Sequence, residues 1–512
     1  MIKWFIHKNI FLSSLVIIFL LSTRCSKDPV SEKLIGSNLD SDDIAVSLLG
    51  ELQISDFVWK GLNEFYYWQE DVAELSDDKL IDQKSYGQYI NENSDAESFF
   101  ESLKHPEDRF SWIQDDYRVL ENTLQGIFAS NGVEFGLLRA CQNCNELVGF
   151  VKYILENSDA ENKNIQRGDL FTGVDGTILT ASNYRSLLFG DNLTYTLNMA
   201  SGINGVLSNN GINVDLTKEE NFETNPIQVS KSITIENEDS GYSGNIGYLM
   251  YNQFVADKSG ELNEAFGNFK AEGISDLILD LRYNGGGSVQ NCVELASMIT
   301  GQFTSEIFAE EQWNIKLLKY LRERFGKETL INRFTAQLSN GEPINSLDLN
   351  RVFIITTSES ASASELLING LDSYINVFQI GERTVGKNVG SITVYDYVDN
   401  EQTKNPEHTY AMQPIVLKIS NSDGFADYSD GLLPDTIIEE DIRNLGILGD
   451  SNEPLLETVI KIITGSGKIN IRKAKMSRAL LVKDPLMLQR QQMIVDKKEL
   501  QSIRSNLKGF SN

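Results

Sequence analysis

An α/β domain, preceded by a β-rich segment and a small helical segment, is the fold class this sequence predicts. Three patterns predict it. From Ile246 onward, apolar runs alternate with helical stretches. Asp276–Leu281, Val352–Thr356 and Val377–Ile380 read as buried strands, with Val289–Thr300 and Ala363–Tyr374 as helices among them. Such alternation marks a largely parallel sheet. Residues 124–229 instead carry short β-like runs broken by turn residues. Residues 46–118 show helical patterning with a set of aromatics, Phe57, Trp59, Phe65, Tyr66, Tyr67 and Trp68, which is expected to be core rather than a ligand site.

A chain of 512 residues has room for more than one domain. Hydrophobic residues at 41% and charged residues at 23% are ordinary for a soluble globular protein. The formal charge of −28 disfavours nucleic acid and anionic membrane surfaces as partners of the bulk surface. The start stands apart from the fold. Lys3, His7 and Lys8 precede an apolar run from Ile10 to Leu21, which is short for a bilayer span and suits a signal-peptide core. Cys25 follows, and the pattern resembles a bacterial lipoprotein signal over residues 1–25, with Cys25 as the lipidated residue. Arg24 departs from the small residue usual at that place, and plain secretion is the alternative. Removing Lys3, Lys8 and Arg24 takes the charge from −28 to −31. Residues 26–45 read as a tether, and the basic residues 466–512 as an amphipathic or solvated tail.

The cysteines fit export. Cys141 and Cys144 form a lone CxxC with no second pair to complete a zinc site, so a local disulfide is expected. Cys292 is expected to be a buried small hydrophobe. Histidine is scarce: without His7 only His105 and His408 remain, each isolated. A histidine-rich metal site is therefore not expected, and an activated serine would need another base.

Three motifs carry the chemistry. Ser360-Ala361-Ser362-Ala363-Ser364-Glu365 lies between a strand and a helix, where free N–H groups and the positive dipole end suit a developing oxyanion; alone, it could equally be a serine-rich cap. Asp280-Leu281-Arg282-Tyr283-Asn284-Gly285-Gly286-Gly287 ends a parallel strand, where open α/β sheets bind ligands; alone, it could be a tight loop. Gly381-Glu382-Arg383-Thr384-Val385-Gly386-Lys387-Asn388 nearly matches a phosphate-binding loop. Asn388 replaces the required hydroxyl, however, and the run Gly390–Tyr395 is β-like where that loop needs a helix.

Taken together and in this order, the motifs resemble those of the C-terminal processing peptidases, also called tail-specific proteases. Lys387 stands 25 positions after Ser362, as the base follows the nucleophile in that family. The stretch Arg167-Gly168-Asp169-Leu170-Phe171-Thr172-Gly173-Val174-Asp175-Gly176 resembles the signature of a PDZ domain. The resemblance implies a ClpP/crotonase-like mixed sheet over residues 235–465, with a PDZ-like domain over residues 124–229. It implies a serine peptidase with Ser362 as nucleophile and Lys387 as base. Gly286, Gly287 and Ala363 are the oxyanion-hole candidates. Ser391 stands where many members have a lysine-orienting glutamine. Phe135-Gly136-Leu137 is placed, by position, as the carboxylate-binding loop of the PDZ-like domain. The expected partners are a polypeptide substrate, captured at its C-terminus, and a membrane, reached through a lipid on Cys25. No metal or cofactor is expected. An inactive peptide- or lipid-binding protein on the same fold, and a non-peptide serine hydrolase, are the alternatives.

Overall fold

The computed structural model describes residues 51–203, 206–237, 240–399, 401–466 and 481–495. Cys25, the signal and the tether lie outside them, as does most of the basic tail. The described chain begins with three helices, Glu51–Phe65, Gln83–Glu92 and Ala96–Ser102. The side chains of Asp82 and Asp95 accept hydrogen bonds from backbone N–H groups of the first turns of the second and third. Phe57, Trp59, Phe65 and Tyr66 are buried and belong to the main hydrophobic core, so most of the aromatic set packs rather than binds.

The β-rich domain is a sheet in the order Val133–Arg139, Leu147–Ile154, Leu170–Val174, Thr194–Ile203, Val206–Thr217. Its own core includes Val151, Phe171, Val174, Leu197 and Leu216. The Asp175-Gly176 turn follows the third of these strands, with Asp175 at φ 50° and Gly176 at φ 77°. Cys141 and Cys144 are joined by a disulfide in the connection after the first strand.

The central sheet has the order Ile227–Asn237, Tyr242–Tyr251, Asp276–Asp280, Arg351–Thr356, Asn376–Gly381, Thr436–Ile437. The first pair is antiparallel and the others are parallel, so the sheet is mixed. Alternate residues of its strands face two different cores. Leu249, Tyr251, Leu277 and Leu279 join helices Ser259–Glu272, Val289–Thr300 and Ala363–Asp372. Ile246, Tyr248, Met250 and Ile278 meet helix Pro454–Thr464 through Leu455, Leu456 and Val459. Both faces are covered, which is why the strands read as unbroken apolar runs. The strand Ile227–Asn237 starts inside the range expected for the β-rich domain; its pairing with Tyr242–Tyr251 moves that boundary to before Ile227.

A second sheet runs Gly287–Ser288, Met493–Ile494, Val389–Ser391, Ile415–Asn421, Ile307–Trp313, Ile331–Arg333. Its second strand corrects, for residues 491–495, the reading of residues 466–512 as an amphipathic or solvated tail. Within this stretch Gln491, Gln492 and Met493 are buried, and Met493 and Val495 belong to the main core. The apolar spacing in this stretch is too short to stand out beside the flanking lysines and arginines.

Candidate active site

The glycine strand end is held by a buried ionic cluster. Arg282 is fully buried and pairs with Asp280 (2.7 Å), Glu440 (2.9 Å) and Glu453 (2.8 Å). The two arginines beside it, Arg167 and Arg282, and the Tyr283 hydroxyl hold the Glu440 carboxyl down at about 2 against the opposing effect of burial. Arg167, from the β-rich domain, bonds Glu440 (2.8 Å) and the Tyr283 hydroxyl (2.8 Å), tying that domain to the strand end. Asn284 donates to the Tyr251 carbonyl (2.8 Å) and accepts from the Gly286 N–H (2.8 Å).

The serine loop docks on this strand end through two of its three hydroxyls. Ser360 Oγ donates to the Leu281 carbonyl (2.7 Å) and Ser364 Oγ to the Asn284 carbonyl (3.0 Å). Ser362 Oγ is buried and has no hydrogen-bond partner. Ser362 caps helix Ala363–Asp372 at φ 64° and ψ −113°, a conformation that costs a non-glycine residue about 1–3 kcal/mol and is held by its surroundings.

Glu365 joins the serine loop to the lysine loop. Its carboxylate accepts from the N–H groups of Ser362 (2.8 Å), Gly386 (2.6 Å) and Lys387 (2.8 Å), and from Thr384 Oγ1 (2.5 Å). Burial raises its pKa, and these four donors oppose the rise. Lys387 is fully buried. Burial brings its amine from 10.5 down to about 7, against the pull of Asp108 and Glu365 toward the charged form. The amine lies 5.1 Å from the Phe110 ring centre. Arg109 donates to the carbonyls of Gly386 (2.8 Å) and Ser429 (2.9 Å), so the helical segment supports the lysine loop.

Ser362 and Lys387 therefore come from loops that share one carboxylate, but no hydrogen bond joins their side chains. Lys387 Nζ donates instead to the Gln491 carbonyl (2.5 Å). Of the oxyanion candidates, Gly287 N–H points at a carbonyl, that of Gln492 (2.5 Å). Ala363 is the first residue of the serine helix. Gly286 is corrected: its N–H is committed to Asn284 Oδ1, leaving no donor for an oxyanion in this conformation. Ser391 Oγ donates to the Met493 carbonyl (3.3 Å). Phe135-Gly136-Leu137 is corrected too. It is the interior of strand Val133–Arg139, and the Phe135 ring packs against Phe171 and Phe189. His105 stacks on Trp68 and His408 bonds Asp396. Cys292 is buried, with its thiol on the Ala363 carbonyl.

Sequence reasoning missed Glu365 as the tie between loops, the Asp108–Phe110 turn, and Gln491 and Gln492. Glu365 was in view as the last residue of the serine motif; a capping-box glutamate three residues after a serine cap was its signal. The glutamines carry none.

A strained serine cap beside a glycine strand end, with a buried amine on the neighbouring loop, is the framework of a serine hydrolase. Residues 245–413 match the domain of peptidase family S41, and residues 53–112 match the peptidase S41 N-terminal domain. Probable CtpA-like serine proteases are similar. That of Staphylococcus epidermidis is 24% identical over 398 residues, 77% of this chain and 67% of the relative. That of Staphylococcus aureus is 23% identical over 383 residues, 75% and 64% respectively. The fold is that of the putative S41 protease from Bacteroides fragilis, at a TM-score of 0.61 and 21% identity, covering 80% of this chain and 97% of that one. The chain belongs to the S41 serine peptidases, the C-terminal processing peptidase family.

Proposed function

We propose that the protein is a serine endopeptidase that uses a Ser362–Lys387 dyad on unfolded or C-terminally presented polypeptides. One observation carries the reading: of the three serines in the loop, Ser362 alone keeps its hydroxyl unspent, and it does so beside a lysine whose amine is near neutral. The uncharged amine accepts the Ser362 proton as Oγ attacks the peptide carbonyl. The Gly287 and Ala363 N–H groups receive the oxyanion, each worth about 10²–10³ in rate where such donors have been removed. The lysine passes its proton to the leaving amine and then activates the water that hydrolyses the acyl-enzyme. The β-rich domain acts as a PDZ-like capture module, adding an extended peptide to its edge strand Val133–Arg139. A lipid on Cys25 would hold the enzyme at the cell envelope of its bacterium, on the periplasmic or the exposed face of the outer membrane.

The test compares the parent with Ser362→Ala and Lys387→Ala on unfolded peptides with apolar C-termini. Both variants are expected to lose cleavage; parent-like rates in both would discard the dyad. A phosphonate serine probe followed by peptide mapping should place the label on Ser362, which an inactive binding protein would not allow.

A further inference from the structure

Residues 481–495 run from the edge strand of the β-rich sheet into the cleft of the serine and lysine loops. Leu481 forms an antiparallel bridge with Leu138, and the Val482 N–H donates to the Leu137 carbonyl (2.9 Å). These contacts add the segment to the edge strand of the β-rich sheet, on the strand assigned above to peptide capture. Arg490 then pairs with Glu134 on that same strand (2.6 Å) and with Asp484 (3.4 Å). Beyond it the chain enters the site. The Gln491 carbonyl takes the Lys387 amine (2.5 Å) and the Gln492 carbonyl takes the Gly287 N–H (2.5 Å). Met493–Ile494 pairs in parallel with Gly287–Ser288 on one side, and Ile494 with Ser391 on the other. The Val495 N–H donates to the Ser391 carbonyl (3.1 Å).

The approach is close. A Cβ on Gly285 would lie 2.4 Å from the Arg490 carbonyl oxygen, and one on Gly286 would lie 2.3 Å from that of Gln492 and 2.7 Å from Ser362 Cβ. The glycine run therefore accommodates an extended backbone laid against the serine. With that backbone in place, Ser362 and Lys387 are both inaccessible, and the lysine bonds a carbonyl instead of the serine.

We propose that residues 481–495 are an intramolecular pseudosubstrate that occupies the peptide path from capture strand to catalytic loops and must leave before a substrate enters. Its backbone groups are those a bound peptide would offer: a carbonyl on the oxyanion donor and strand pairing on both walls of the cleft. Its placement is inhibitory because the Gln491 carbonyl occupies the lysine amine while Ser362 is covered. The inference rests on the peptidase reading above.

Two substitutions in the full chain open it. Met493→Asp places a charge where a side chain is fully buried, and Arg490→Ala removes both ion pairs without disturbing the core. If the open fraction of the parent is a tenth or less, the rate of Ser362 labelling by a phosphonate probe rises about tenfold or more in the opened variants. Ser362→Ala in the same background abolishes the label. A synthetic peptide of residues 484–495 slows labelling of the opened variant again. Labelling of the parent at the variants' rate, in variants that still unfold cooperatively, overturns the pseudosubstrate and leaves the peptidase intact. So does a mass spectrum showing the parent cut after Gln492, since the segment would then be a substrate. Absence of Ser362 label in both parent and opened variants defeats the peptidase reading and the pseudosubstrate with it.

Discussion

Replacing Lys387 by methionine should stabilise the protein while disabling it, by an amount that depends on pH. The lysine amine has an ordinary value of 10.5 and is held at about 7 in the fold by burial. Between those two values the unfolded chain carries a proton that the folded chain lacks. Stability therefore rises with pH through this window, and burial of the amine opposes folding most below it. At about 1.4 kcal/mol for each pH unit between the two values, the opposition is roughly 4–5 kcal/mol at pH 6 and roughly 2 kcal/mol at pH 9. Methionine has similar volume and no charge, so it escapes this cost. It also leaves the Gln491 carbonyl without a donor, which offsets the gain by about 1–3 kcal/mol at every pH. The stability advantage of Lys387→Met should accordingly shrink by roughly 2–3 kcal/mol between pH 6 and pH 9. Urea unfolding of parent and variant at both pH values, at one ionic strength, measures it. A difference that does not change with pH would refute a near-neutral amine in this pocket. Labelling of the parent's Ser362 should climb through about pH 7 for the same reason.

Glu365→Gln keeps the shape but replaces a carboxylate that serves three N–H groups and the Thr384 hydroxyl. Hydrogen bonds to a charged group are worth about 1.5–3 kcal/mol, so the opened enzyme should lose roughly tenfold or more in kcat, with KM changed less; equal loss in both would point to the peptide path instead. Arg282→Met leaves Asp280 and Glu453 buried without their cation and Glu440 with Arg167 alone, and should cost about 3–5 kcal/mol in urea unfolding at pH 7. Because Glu440 titrates low in the fold, its share of that stability is present above the ordinary carboxylate value and is lost as pH falls toward about 2. The deficit of Arg282→Met should therefore narrow at acid pH.

Much of the fold was legible because it is local. Burial on both faces makes a central strand apolar without interruption, and Asp276–Asp280 and Arg351–Thr356 fall where such runs predict them. Helix Val289–Thr300 was legible from end to end, with Ser288 capping one end and Gly301 following the other. The proposed nucleophile and base were also suggested by sequence, because such chemistry needs a serine, a lysine and close-packed glycines at set places along one chain. Backbone partnerships left no such trace. Whether a given glycine N–H faces a substrate or, like that of Gly286, a neighbouring asparagine depends on how the strand end folds back on itself. Phe135, Gly136 and Leu137 are as suited to a loop as to a strand until Phe171 and Phe189 pack on the ring.

Sequence alone pointed to residues that could do the chemistry: a serine motif between a strand and a helix, a lysine where histidine is scarce, and a strand ending in three glycines. Tertiary structure decided how they stand toward one another. Glu365 gathers the two loops because three donors from the lysine loop, about twenty positions on, converge with the local Ser362 N–H on its carboxylate, and the Lys387 amine is near neutral because burial excludes water around it. The occupation of the cleft was decided by tertiary structure too. The bonds of Gln491 and Gln492 to the site are made by their backbone carbonyls, which every residue carries, so no side-chain pattern announces that the far end of the chain lies across the serine.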